Sequence, residues 1–527
     1  MTVPTPRLRR RALPVAAALM AGAGLVAAGC GSSAGGAADG DPAGAVPASA
    51  PLYAEVVVSP SGAQREDLLA AGRKILRTND PAGELVAWLN GALRKEGLSF
   101  ERDVAPWLGE RVGVALTSAD VGAATRGPGP AFVLVAQSRD DGAARDALGR
   151  FGAGRAQGRT FDGVDYRVDP RRGVAAAVLD GRVLVGGEAG VHAAISASKG
   201  ESLAETDKLR RAREDADAAD GLGFLYADVR PLAQALLAGG ATRQSGAAAL
   251  LPALVGVLPE TVGARLDVAP DAVRLDAAAR GGQGGELLTG PGAADALAAL
   301  PGRSVFGLGL ADVGGALERL LDRLSSGGLN AVGIEALLGQ LRATTGLDLR
   351  QDLLSWMGDA GLFATRDGGA LVVNAKDAGR MRAAVGKLAP LVRMLGGATT
   401  RPLDARGVDQ GFVVESGHGD RVFVAAAGDR FVVAKGRAAL TAALGGGERL
   451  GDRDDVKAAA AQLGEGLRPS LFADLPALAG LLGGHGSGHD QRAREARRML
   501  EAFGALVGAS RRDGDVTRTR VVATLPG

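Results

Sequence analysis

Cysteine is nearly absent: Cys30 is the only one in 527 residues. A single thiol excludes an intramolecular disulfide and any CxxC metal or redox centre, so nothing downstream of Cys30 can rest on thiol chemistry. Aromatic residues are also scarce, at 3%, with three Trp, three Tyr and twelve Phe. A core drawn from 46% hydrophobic content must therefore be built mainly of Ala, Val and Leu. Histidine occurs four times, which leaves little material for a His-based metal site. The sequence holds no GxSxG elbow, no HExxH and no GxxxxGK[ST], the short patterns that would announce a serine hydrolase, a zinc protease or a P-loop. Nor does it carry a basic stripe with interleaved aromatics, so nucleic acid is not an expected partner.

What is present begins at the N-terminus. Arg7, Arg9, Arg10 and Arg11 precede an apolar run over 12–28 and then Gly29 and Cys30. Charge, then a short apolar stretch, then small residues is the order of a secretory signal. The run is rich in Ala and Gly and broken by Pro14, a poor match to the roughly 20 strongly apolar residues of a permanent span. The expectation is a removed signal peptide over 1–29. These 29 residues hold four of the 61 Lys and Arg and none of the 59 acids, so the remainder carries 57 basic against 59 acidic side chains, a net of −2.

A thiol directly after Ala27, Ala28 and Gly29 is what converts a secretory signal into a lipoprotein signal, because the thiol receives diacylglycerol and becomes the new N-terminus. The lipobox favours Leu three residues before the Cys; Ala27 stands there, with Leu25 and Val26 just upstream. Cys30 is accordingly the expected lipidation site, and the membrane, through that lipid, the expected partner on the extracytoplasmic face of a bacterial cell membrane. Arg9-Arg10-Arg11 also raises twin-arginine export, although the Phe-Leu that normally follows is missing. Residues 30–50 have almost no bulky apolar side chain and read as a flexible tether.

The strongest internal signal is a repeat. Gly97, Asp103, Trp107 and Gly109 recur as Gly346, Asp352, Trp356 and Gly358, all at a shift of 249. Arg182 pairs with Arg430, Asp228 with Asp474 and Gly263 with Gly508, at shifts that drift from 248 to 245 as loop insertions and deletions require. Tyr53 is paired in the same way with Phe306. The chain past the tether therefore divides into two copies, 51–300 and 301–527, at the punctuated joint Leu300-Pro301-Gly302.

Within the first copy, strand-like runs at 52–58, 111–116, 131–136, 164–168, 174–179, 182–186, 263–268 and 272–278 alternate with helical patterns at 63–76, 84–94 and 141–151. Asp180-Gly181 is a tight-hairpin signal, and such short connections demand antiparallel pairing. The second copy repeats the plan, with strands at 305–310, 411–414, 422–426 and 431–433, helices at 313–324 and 333–344, and a last hairpin within 507–525. Strand runs mixed with helix pairs predict an α+β fold: two tandem copies of a mainly antiparallel sheet with helices packed on one face.

The run Pro51-Leu52-Tyr53-Ala54-Glu55-Val56, the helical pair after it, and Asp103-Val104-Ala105-Pro106-Trp107-Leu108-Gly109-Glu110 resemble the uncharacterised bacterial family called domain of unknown function 3352. The resemblance covers most of the chain past the leader. It implies a cell-envelope address, and since the family carries no assigned activity it points to no particular chemistry.

Each polar feature has a plain alternative. Asp103 and Asp352 could be a duplicated acid pair, but each opens a short apolar turn where an N-cap carboxylate is wanted, and capping is favoured. Asp228 and Asp474 end strands ahead of helical runs and read the same way. His485, His489 and Asp490 could ligate a metal, yet they lie in a Gly-rich stretch without a counterpart in the first copy. Gly186, Gly187 and Gly190 lack phosphate-loop spacing and read as a strand-to-helix turn. No catalytic, cofactor or metal residue is assigned. The expected function is a non-enzymatic binding or scaffold protein for an envelope lipid, glycan or protein; the alternative is an envelope hydrolase with carboxylates in an interdomain cleft.

Overall fold

A computed structural model describes residues 40–118, 132–239, 255, 258–282, 285–326, 331–396, 399–415, 421–482 and 497–526. Cys30 and the His485–Asp490 cluster lie outside these residues. The chain forms two compact units, the first running essentially to Arg280 and the second from Gly281, with short exchanges at Pro252–Leu258 and Asp271–Arg274.

The first unit contributes β1 (Leu52–Val57), β2 (Leu108–Leu116), β3 (Phe132–Ser138), β4 (Gln157–Phe161), β5 (Val164–Asp169), β6 (Val174–Leu179), β7 (Arg182–Gly187), β8 (Gly223–Asp228), β9 (Thr261–Ala269) and β10 (Ala272–Arg280). Its strand order is β10-β9-β8-β1-β2-β3-β7-β6-β5-β4. The second unit contributes β11 (Phe306–Leu310), β12 (Met357–Thr365), β13 (Gly368–Ala375), β14 (Thr399–Pro402), β15 (Gln410–Glu415), β16 (Arg421–Ala427), β17 (Arg430–Lys435), β18 (Leu471–Asp474), β19 (Ala505–Asp513) and β20 (Val516–Thr524). Its order, β20-β19-β18-β11-β12-β13-β17-β16-β15-β14, is the same path shifted by ten strands. Neighbouring strands from β9 to β4 and from β20 to β14 pair antiparallel, and the class is α+β with a duplicated sheet.

Local chemistry places the elements. Asp80 accepts the Gly83 N–H and Pro81 opens the helix Pro81–Leu93; Asp140 caps Asp141–Arg150 through the Ala143 N–H. The β6–β7 hairpin turns on Asp180 and Gly181, both at positive φ (49° and 72°), as an Asp-Gly turn requires.

Central strands are buried on both faces. In β3, Leu134 and Ala136 pack with Ala144 and Ala147 of the helix Asp141–Arg150 and with Trp107. The alternate residues Val133 and Val135 are equally buried, on the face that carries Glu188–Lys199. In the second unit the same alternation separates Phe423, Ala425 and Val432 from Val424, Ala426 and Phe431, which belong to two distinct cores. The expected helical layer on one face is thus joined by helical cover on the other.

Two expectations need correction. The end of the supposed tether is part of the fold: Pro42–Ala45 is a short 3₁₀ turn, Ala43, Ala45 and Val46 are completely buried, and Pro47 bridges to Ser202. Small side chains suit a solvated linker by composition; here they let a strap lie flat on the unit. The second unit repeats the bridge at Pro301 and Arg449, and the helix Pro291–Ala298, ahead of the Leu300 joint, packs on β11 and β12. The other correction is one of register. Tyr53 pairs with Tyr226, whereas Phe472, the counterpart of Tyr226, pairs with Gly307. Tyr53 therefore corresponds to Gly307, not Phe306, which points to the opposite face.

Candidate functional site

The repeated Asp–Trp motif is a structural lock. Asp103 lies in the π-helical turn Phe100–Val104, where its carbonyl accepts the Trp107 Nε1–H at 2.6 Å and its Oδ2 accepts the Ser99 N–H at 2.8 Å. Asp352 does the same in Leu349–Leu353, taking the Trp356 indole N–H at 2.7 Å and the Asp348 N–H at 2.8 Å. These aspartates are not N-caps. The caps are Ser99 and Asp348, and each repeated Asp reaches back four residues to hold the cap's own N–H. Both Trp side chains are buried.

A cation completes each lock. Arg102 and Arg150 bond the Asp103 carboxylate, and Lys387 bonds Asp352 at 2.7 Å. The hydrogen bond from Arg102, helped by the Ser99 N–H and Arg150 against the opposing effect of burial, holds the Asp103 carboxyl down to about 2. Lys387 and the Asp348 N–H lower Asp352 in the same sense. Such carboxylates accept hydrogen bonds and give none, the reverse of a general acid's requirement.

The other sequence candidates resolve individually. Asp474 caps the helix Leu475–Leu482 by accepting the Ala477 N–H at 2.9 Å. Asp228 is bonded by Lys208 at 2.7 Å. Gly186 and Gly190 sit where β7 turns into the helix Glu188–Lys199; a Cβ would come within 2.4 and 2.6 Å of the Phe132 carbonyl oxygen, so close packing explains the glycines.

The most unusual chemistry was not foreseen. On β1, Tyr53 and Glu55 point the same way into the first unit, and the Tyr53 hydroxyl donates to Glu55 Oε2 at 2.7 Å. Arg213, on the helix Asp207–Asp215, donates to both Glu55 oxygens at 3.0 and 3.1 Å and to Asp41 Oδ2 at 3.1 Å. Arg111 stands 3.6 Å from Glu55. Arg182 Nε donates to the Asp41 carbonyl at 2.9 Å. Burial, reinforced by the Glu55 charge, raises the Tyr53 phenol well above its ordinary value, so it stays a neutral donor. Burial opposes the Arg213 charge, but Glu55 and Asp41 outweigh it and raise its pKa.

This cluster belongs to one copy. Aligning the registers places Gly307 and Gly309 at the positions of Tyr53 and Glu55. A Cβ at Gly309 would fall 1.8 Å from the Ala293 carbonyl oxygen, because Pro291–Ala298 packs into that space. The first copy fills the same place with a tyrosine, a glutamate and the strap that carries Asp41. The sequence signal was available: Glu55 interrupts the apolar run Leu52-Tyr53-Ala54-Glu55-Val56-Val57-Val58 at an inward position.

A second asymmetric group surrounds Glu188, whose Oε1 accepts from Tyr166 at 2.6 Å and Arg159 at 2.7 Å; His192 stacks on Phe161 at 3.9 Å between centroids. In the second unit a depression of about 290 Å³ is lined by Arg303, Arg366, Asp367, Arg453 and Asp474, but Arg453 is already engaged by the Gly302 and Ser304 carbonyls and Asp455. Among the described residues, no group of three or more His, Cys, Asp or Glu could hold a metal ion, and no helix is long and apolar enough to cross a membrane.

A family model described as protein of unknown function (DUF3352) matches residues 12–409, and the chain belongs to that family. No curated protein matches it. Among solved structures, crystal form I of TP0453 is 13% identical over 46% of this chain and 80% of that one, with a TM-score of 0.26. Crystal form III of TP0453 gives 12%, 46%, 80% and 0.25. At such TM-scores the likeness carries no argument about fold or role.

Proposed function

We propose that this protein is an exported bacterial envelope lipoprotein, held to the extracytoplasmic face of the cell membrane by a diacylglycerol on Cys30, and that its folded units serve as a non-enzymatic binding or scaffold module. The observation that carries the reading is the position of the one thiol, directly after Ala27-Ala28-Gly29 and ten residues before Gly40, the first described residue. The charged clusters support the non-enzymatic part. Glu55, Asp103 and Asp215, three buried acids of the first unit, are each bonded by an arginine of the same unit. The Asp103 carboxyl, lowered by its arginine and backbone partners, stays charged and has no spare proton to exchange.

Cellular fractionation tests the anchor. Wild-type protein should remain with membranes after a high-salt wash, and Cys30→Ser should move it to the soluble fraction; a Cys30→Ser variant that stays with the membranes contradicts the anchor.

A further inference from the structure

We infer that one end of the first unit is a docking surface for the anionic phosphate headgroups of a lipid bilayer. Three stretches distant in sequence meet there. The turn Arg94–Glu96 packs on the turn Phe151–Gly154, which packs on β5. Arg172 pairs with Glu96, Arg155 Nε lies 3.9 Å from Asp169 Oδ2, and Arg167 Nη2 donates to the Ala156 carbonyl at 3.2 Å.

Five guanidinium groups, those of Arg94, Arg155, Arg167, Arg171 and Arg172, thus share an end where Glu96 and Asp169 pair with two of them. The chain past residue 29 has a net charge of −2, so this surplus is a local feature rather than a reflection of overall charge. Arg94 and Arg171 are exposed, and neither guanidinium has a hydrogen-bond or ion-pair partner among the described residues. The backbone beneath is set: Asp169 Oδ1 accepts the N–H groups of Arg171 at 3.0 Å and Arg172 at 3.4 Å. At Arg94 the fold does not need the charge, because at the repeat shift of 249 the position becomes Ala343.

The choice of occupant rests on the lipid-anchor reading. Ten residues separate Cys30 from Gly40, and a chain of that length reaches at most about 35 Å. A Cβ on Gly40 would touch Gln137 and the Gly181 carbonyl, which places Gly40 at the β6–β7 hairpin end of the sheet. The Asp169–Gly173 turn lies at the opposite end of β6, a strand of six residues, or about 20 Å away. An anchored chain therefore lets the basic end reach the same bilayer. Each arginine near an anionic surface strengthens attraction roughly fivefold, so the diacylglycerol retains the protein and the arginines set which end faces the lipid.

The test uses the unacylated chain from Gly31 onward, which keeps every described residue, so it can fail independently of the Cys30 fractionation. Sedimentation with vesicles containing about one-third phosphatidylglycerol should show binding at least about tenfold stronger than with pure phosphatidylcholine, and about 0.5 M salt should abolish it. Arg94→Glu with Arg171→Glu should remove the difference without changing the melting temperature, while Arg366→Glu with Arg406→Glu, exposed arginines of the second unit, should leave it intact. Equal binding to both vesicles overturns the inference, as does binding that survives the Arg94/Arg171 reversal. Binding to soluble polyphosphate without binding to vesicles overturns it too, by assigning the arginines to a free anion.

Discussion

Replacing Arg213 by Met removes three hydrogen bonds, two to Glu55 and one to Asp41, while keeping most of the apolar stem. Glu55 is only 6% exposed, so it is left as a buried charge with the Tyr53 hydroxyl and a more distant Arg111 for company. Stranding one member of a buried pair costs about 3–5 kcal/mol; Arg111, at 3.6 Å, places the expected loss near about 3 kcal/mol. Glu55→Leu combined with Arg213→Met removes both charges. That pair should be less destabilised than Arg213→Met alone, with a coupling of about 1–3 kcal/mol. A melt averages over the whole chain, whereas the clamp acts on one segment, so its readout is local. Hydrogen exchange at the amides of Gly44, Val46 and Ala50, which donate to the Asp41, Ala43 and Pro47 carbonyls, reports whether the strap is held. Exchange there should accelerate by about two orders of magnitude in Arg213→Met, and recover in part in the double variant. Unchanged exchange in Arg213→Met, or a double variant as poor as the sum of the singles, refutes the clamp.

Asp103 makes stability depend on acid. Its folded pKa, about 2, lies below the unfolded 3.8, so its contribution is complete above the unfolded value and is lost as pH falls from about 4 toward 2. The shift corresponds to at most about 2.5 kcal/mol, and to nearer about 1 kcal/mol because Arg102 and Arg150 are 66% and 48% exposed. Melts of wild type and Asp103→Asn should converge over that range and differ above it; a constant difference would argue against the lock. Gly309→Ala drives a methyl into the Ala293 carbonyl and should cost about 3 kcal/mol or more. Gly339→Ala, on an open helical surface, should be neutral or stabilising by up to about 1 kcal/mol; a harmless Gly309→Ala in the same melts would contradict the packing of Pro291–Ala298 on β11.

The duplication was legible because the repeated residues perform the same work twice. Asp103 with Trp107 and Asp352 with Trp356 each close a turn by a carboxylate and an indole N–H, and that requirement preserves residue type through the drift of everything around it. Their role is hidden in the sequence because an Asp before an apolar turn looks like a cap, and only the folded structure shows that it bonds backward to Ser99 or Asp348. Strands β12 and β13 were missed since their glycines, alanines and polar ends dilute the β-branched signal. Matching Tyr53 to Phe306 by aromatic type put the pairing one residue out, which in a strand reverses the face. The Arg213 clamp was invisible for a different reason. Its members come from a small-residue segment that resembles a linker, from β1, and from a helix about 160 residues later, and no local pattern links positions so far apart.

Mass spectrometry of the N-terminal peptide from protein purified out of native membranes tests the lipoprotein assignment most directly. The assignment predicts a peptide that begins at Cys30 and carries the added mass of a diacylglycerol on its thiol. A chain whose N-terminus lies elsewhere, or a Cys30 with a free thiol, would contradict it.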